Sequence, residues 1–174
     1  MSETSYIVLG LLERFEPATP YDLKQVAQLS TFNFWNVPHT QIYTECARLT
    51  AAGLLSEEHE QTGRRRRIYK LTPAGRAELD KWRGTLPTGV YQLRDPAILR
   101  LFFGAEPGRL AEHEVKSHRE HLATLEARRE LVATGPEGWA LALELGIAQE
   151  QQFIRFWSEL LERERGAGRA AQGG

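Results

Sequence analysis

The sequence predicts a mainly α-helical fold with a small β-hairpin, a winged helix-turn-helix domain followed by a second, helical domain. Three observations carry this. Apolar residues recur at helical spacing in four segments before Gly84, two short extended runs joined by a Gly- and Arg-rich stretch separate the third segment from the fourth, and a long seam of apolar residues follows from Trp139 to Leu161. At 174 residues the chain is long enough to bury a core without disulfide or metal, and 41% of it is hydrophobic. Cys46 is its one cysteine, so no internal disulfide exists and a reducing compartment is expected. The apolar run from Tyr6 to Leu12 stops at Glu13 without a basic flank, too short for a signal peptide or a membrane span; a cytoplasmic protein with no membrane partner is expected. The net charge of −1, from 22 Lys and Arg against 23 Asp and Glu, excludes a histone-like DNA coater and shifts attention to where the charges sit.

The first helix, Ser5 to Phe15, is apolar on nearly all sides, the pattern of a helix buried by two surfaces. Thr19 and Pro20 supply the cap and first turn of the second, with Leu23, Val26 and Ala27 on its inner stripe. For the third, Asn36 is the candidate cap and Pro38 a first-turn residue; Ile42, Cys46 and Leu49 form the core face and Gly53 ends the helix. Leu54 to Glu60 and Arg67 to Thr72 read as the strands of a hairpin. Thr72 and Pro73 then open a fourth helix through Leu79 and Trp82. The Gly- and Pro-bearing stretch Arg83 to Gly89 marks a junction. The expected organisation is a winged helix-turn-helix domain over 1–84, a linker over 85–92, a helical domain over 93–165 and a disordered tail over 166–174.

In such a fold the third helix and the hairpin face DNA. The third helix carries His39, Thr40, Gln41, Tyr43, Thr44 and Arg48 on the side opposite its core face, and of these Thr40, Gln41 and Thr44 are small, hydrogen-bonding groups suited to base edges in the major groove. The hairpin places Arg64, Arg65, Arg66 and Arg67 beside a turn, where their guanidinium groups reach phosphates or a narrow minor groove; Tyr69 and Lys70 follow on the second strand. Glu57, Glu58 and Glu60 on the preceding strand cancel these charges in a whole-chain sum, but over a Debye length of about 8 Å DNA senses the tip.

Three strings, YIVLGLL with PYDLKQ behind it, QIYTECARLTAAGLL and GRRRRIYKLTPAGRAELDKW, resemble the PadR family of bacterial transcription regulators. A fourth, LRDPAILRLFFG from Leu93 to Gly104, is similar to the opening of the long C-terminal domain of the larger PadR subgroup. The resemblance implies a homodimer whose recognition helices enter successive major grooves of a pseudo-palindromic operator, usually as a repressor released by a small ligand. It also implies that Tyr43 lies against the phosphate backbone and that Tyr69 and Lys70 belong to the wing. Thr44, Cys46 and Arg65 depart from the family pattern, so a family operator sequence does not transfer.

In the C-terminal part, Leu110, Val115, Leu122, Leu125 and Val132 form one stripe, and Trp139, Leu143, Ile147, Phe153 or Ile154, Trp157 and Leu161 a seam of spacing near 3.5. Two such helices predict a partner surface, and a closed dimer is the economical solution, with Tyr6 and Leu9 of the first helix contributing. Trp35, Trp82, Phe102 and Phe103, with Trp139 and Trp157, are candidates to line a pocket for a small aromatic effector, packing being the alternative for each. His113, Glu114, His118 and His121 have helical spacing that could serve a metal, but solvated helix-surface residues are the expected reading, with no cofactor or metal. No phosphate loop or nucleophile elbow occurs, and an enzyme is not expected. The rival functions are a winged-helix protein–protein interaction module without DNA binding and a small-molecule binding protein.

Overall fold

The computed structural model describes residues 1–31, 34–60, 66–89, 91 and 93–172, without the side chains of His39 and of residues 168–172. The chain divides into two compact units, Met1–Gly89 and Val90–Gly174.

The first unit contains α1 (Glu3–Phe15), α2 (Pro20–Ser30), α3 (His39–Ala51), β1 (Leu55–His59), β2 (Arg67–Leu71) and α4 (Pro73–Arg83). Each helix begins where a side chain satisfies its open amides. Ser2 and Ser5 form a reciprocal capping box on α1, Thr19 and Asp22 another on α2, and the Thr72 hydroxyl accepts from the Gly75 amide at 3.0 Å on α4. α3 differs from expectation, because Pro38 rather than Asn36 occupies its cap position and provides no side-chain acceptor. A cap at Asn36 would require helical Val37, and the residue before a proline is sterically disfavoured in that region. Gly53, with φ +73°, turns the chain out of α3 in the left-handed region that favours glycine.

β1 and β2 pair antiparallel, with Leu55 opposite Leu71, Glu57 opposite Tyr69 and His59 opposite Arg67. The free edge of β2 is partly covered by Ala18, which exchanges two backbone hydrogen bonds with Tyr69 at 2.9 and 3.2 Å. Val8, Leu9 and Leu12 of α1, Leu23 of α2, Ile42, Cys46 and Leu49 of α3, Tyr69 of β2 and Leu79 of α4 form one core. α1 is central to it, touching α2, α3, α4 and β2.

The second unit contains α5 (Pro96–Phe102), α6 (Pro107–Glu126), α7 (Arg129–Ala133) and α8 (Glu137–Gln172). α6 and α8 pack along their length, with Ala111, Val115, Trp157 and Leu160 in one cluster and Leu125, Leu143 and Ile147 in another. At Gly146 an added Cβ would approach Leu125 to 3.3 Å, so glycine there permits the close crossing. α8 has 36 residues, about 54 Å at 1.5 Å per residue, and runs through Gln172 where a disordered tail from Gly166 was expected. Ala167, Ala170 and Ala171 are strong helix formers, and extending an existing helix avoids the cost of nucleation. Among the described residues no helix is long and apolar enough to cross a membrane.

Candidate nucleic-acid interface

α3 is held by Ile42, Cys46 and Leu49, all essentially inaccessible, which forces the opposite face outward. Thr40, Gln41, Tyr43 and Thr44 are exposed there. The Thr44 hydroxyl donates to the Thr40 carbonyl at 3.0 Å, which restrains its rotamer on the exposed face. Gln41 is reached from α1 by the Thr4 hydroxyl at 3.5 Å. His39 opens the helix, and its side chain lies outside the described residues. Pro38 leaves the first-turn amides without a side-chain acceptor, the arrangement that suits a helix N-terminus to phosphate.

Arg48 has a different role from the one its position on the helical wheel implies. Its guanidinium donates to both Glu45 carboxylate oxygens, with Nη2 at 2.5 Å and Nε at 3.1 and 3.2 Å, and Nη2 also donates to the Ser5 hydroxyl at 2.8 Å. Ser5 donates in turn to Glu45, and both residues are buried. The Arg48 hydrogen bond, against the opposing effect of burial, holds the Glu45 carboxyl below its ordinary range. Arg48 thus braces α3 against α1.

The hairpin is the second part of the surface. Arg64 and Arg65 lie outside the described residues. Arg66 donates from Nε to Glu60 at 3.1 Å, Arg67 lies 3.6 Å from Glu57, and Lys70 Nζ donates to Glu58 at 2.7 Å. Glu57 also accepts from the Tyr69 hydroxyl at 2.9 Å, and burial, then that hydrogen bond, pushes Tyr69 up to about 12. Tyr69 is therefore a buried anchor for the wing, where the sequence had placed it among the DNA-facing residues. Its alternation with Ile68 and Lys70 could have shown this, since it shares a strand face with Leu71. Glu45 and Ser5 had no comparable local signal, being forty residues apart in the chain.

Several of the other expected site residues are taken up by packing within the chain, and others stay exposed. Of the residues expected at a subunit seam, Leu9 is buried in the core of the first unit, and Leu143, Ile147 and Trp157 are buried within the second because α6 offers α8 a matching stripe. Phe153 and Leu161 pack against the same cluster as Trp157, and the Trp139 ring covers Gly135. Tyr6 stacks face to face on Trp82 at 4.7 Å in the first unit. Trp35 borders a recess of about 30 Å³ with Lys24, Ala27 and Ile42, room for a water and not for an aromatic ring. Phe102 and Phe103, in the second unit, are 81% and 77% exposed.

His118 and His121 flank one buried carboxylate, with Nδ1 of each lying 2.6 and 3.0 Å from Glu150. That bridge ties α6 to α8, and among the described residues no set of His, Cys, Asp or Glu is arranged to hold a metal ion. Burial, with a smaller effect of Glu45, pushes the Cys46 thiol up to about 12, so it carries no nucleophile at neutral pH.

Comparison with known proteins places this geometry. Residues 8–81 match the profile of the transcriptional regulator PadR-like family, and residues 93–163 match that of the virulence activator alpha C-terminal domain. Over 92% of this chain and 97% of its own length, the negative transcriptional regulator PadR of Bacillus subtilis is 23% identical. The crystal structure of that protein with operator DNA is similar at a TM-score of 0.79, with 22% identity, covering 91% of this chain and 97% of the other. Its complex with p-coumaric acid is similar at 0.74, with 22% identity, covering 91% and 96%. A PadR-like regulator from Bacillus cereus gives 0.81 at 22% identity, covering 95% and 99%.

Proposed function

By its domain over residues 8–81 this chain belongs to the PadR-like family of transcriptional regulators, and on that premise we propose that it is a sequence-specific, dimeric repressor released from its operator by a small aromatic effector. The observation that carries the reading is the pairing, on one compact unit, of an exposed polar face on α3 with a cationic hairpin. Thr40, Gln41 and Thr44 are short enough to let the α3 backbone approach the floor of the major groove, and Tyr43 reaches the flanking phosphates. Arg66, Arg67 and Lys70, with Arg64 and Arg65 of the wing tip, supply the salt-dependent grip on the backbone. Arg48 acts as a positioning residue, holding the reading helix to α1 through Glu45. That the Bacillus subtilis relative is described in complex with operator DNA supports the DNA-binding part of this reading.

The dimer reading rests on a second apolar stripe of α8. Leu141 and Leu145 are 57% and 62% exposed, and Phe156 shares their face three turns on. A second copy covers that stripe, and two-fold closure sets two copies of α3 against two half-sites. An effector then acts by binding one arrangement of the dimer more tightly than the other. The relative's p-coumaric acid complex makes that compound the first effector to test.

The test is footprinting on the DNA upstream of the chain's own coding sequence. Protection of two half-sites about one helical turn apart is expected. Gln41→Ala and Thr44→Ala should each weaken operator binding by about 1–3 kcal/mol while leaving random-sequence binding almost unchanged. Equal losses on both DNAs would remove the base-reading role from α3.

A further inference from the structure

The described wing cations do not stand free. Arg66 and Lys70 on the outer side of the hairpin are each met by a carboxylate of the opposite strand, Glu60 and Glu58. The ladder explains the pattern. Ser56 lies opposite Lys70 and Glu58 opposite Ile68, so Lys70 reaches diagonally along one face to Glu58. Glu60 lies just beyond β1, where its amide donates to the Arg66 carbonyl at 3.0 Å and its carboxylate takes the guanidinium through Nε at 3.1 Å and Nη2 at 3.4 Å. The charge of Asp22 also acts on Arg66. The third acid, Glu57, is bound differently, holding Tyr69, Arg67 and His59 near the core.

We propose that Glu58 and Glu60 are intramolecular competitors of DNA phosphate, which hold the wing cations in the free protein and thereby set its sequence-independent affinity for DNA. The inference rests on the DNA-binding reading above and adds to it the residues that limit binding. An exposed ion pair is worth little, so Arg66 and Lys70 exchange a carboxylate for a phosphate readily. The carboxylate is not removed by that exchange. It remains a few ångströms from the incoming phosphate, and the repulsion applies to every duplex whatever its sequence. Base contacts from α3 offset it at an operator; on random DNA, where phosphate contacts supply essentially all of the affinity, nothing does. Glu58 and Glu60 therefore keep a cationic wing compatible with low occupancy of non-operator DNA. A net charge of −1 on a DNA-binding chain is consistent with this.

The experiment uses the full chain and a mixed-sequence 30-base-pair duplex, with binding followed by fluorescence anisotropy from low to high salt. Circular dichroism and the thermal midpoint check that each variant is folded. Glu58→Gln with Glu60→Gln is expected to tighten binding about tenfold at low salt, with the gain shrinking as salt screens the charges. Adding Arg66→Ala and Lys70→Ala to that variant should cancel the gain, because the acids act through these cations. Glu144→Gln with Glu159→Gln on α8 makes the same change in net charge and should stay within about twofold of the parent. If the parent binds and the β1 variant remains within twofold of it, or if the α8 variant gains as much, the proposal is overturned while the DNA-binding reading stands. If the parent binds no duplex even at low salt, both fall together.

Discussion

Arg48 occupies the exposed side of α3, yet its guanidinium is committed to Glu45 and Ser5. Glu45 is the residue most strongly tied to this arrangement, a carboxylate buried where α3 meets Ser5 of α1. Its folded pKa is lowered from the ordinary 4.5, first by the Arg48 hydrogen bond. A lowered folded pKa means that the ionised form stabilises the fold above the unfolded value, and that this contribution is lost as pH falls through the folded value. Glu45→Gln should therefore lower the thermal midpoint at pH 7 and flatten its decline below about pH 4.5, relative to the parent chain. A variant whose acid limb matches the parent would show that the Arg48–Glu45 pair contributes nothing. The helical wheel placed Arg48 correctly on the outer face. It also puts Glu45 within reach three positions earlier, but it could not show Ser5, which lies 43 residues away in the chain.

At the level of elements, the seat of the hairpin depends on the turn between β2 and α4. Thr72 caps α4 through Gly75 and donates to the Gly53 carbonyl at 2.8 Å, so one hydroxyl joins the end of α3 to the start of α4. Gly75 has to be glycine for a separate reason. A Cβ there would stand 2.2 Å from the Leu54 carbonyl oxygen and 2.8 Å from the Leu71 side chain. Gly75→Ala should cost about 1–3 kcal/mol of stability, read as a lowered urea midpoint, and should weaken DNA binding by displacing the wing. An unchanged midpoint would mean that the backbone of Leu54 yields without cost. The capping residues, the prolines after them and the strand alternation are local signals, and they were legible at Thr19, Thr72 and in the hairpin. The start of α3 was not read correctly, since Asn36 is a good cap by type and only the restriction that Pro38 imposes on Val37 excludes it.

At the level of the whole molecule, α8 has two apolar stripes and uses them differently. The stripe through Leu143, Ile147 and Trp157 is covered by the chain's own α6, while Leu141, Leu145 and Phe156 are left outward. Leu145→Asp should give a folded monomer by sedimentation, with its helical circular dichroism kept and its operator binding greatly weakened, since one half-site replaces two. A variant that stays dimeric would assign the subunit contact to another face. The sequence by itself determined the order of elements, the caps, the core face of α3 and the concentration of charge at the wing. These depend on dihedral preference and on periods of 3.6 and 2, which act over a few residues. Only the tertiary structure decided which charges are already paired and which apolar stripe is already covered. Arg48 finds Ser5, Lys70 finds Glu58 and α8 finds α6 through contacts between distant parts of the chain, and no local pattern encodes such a partner.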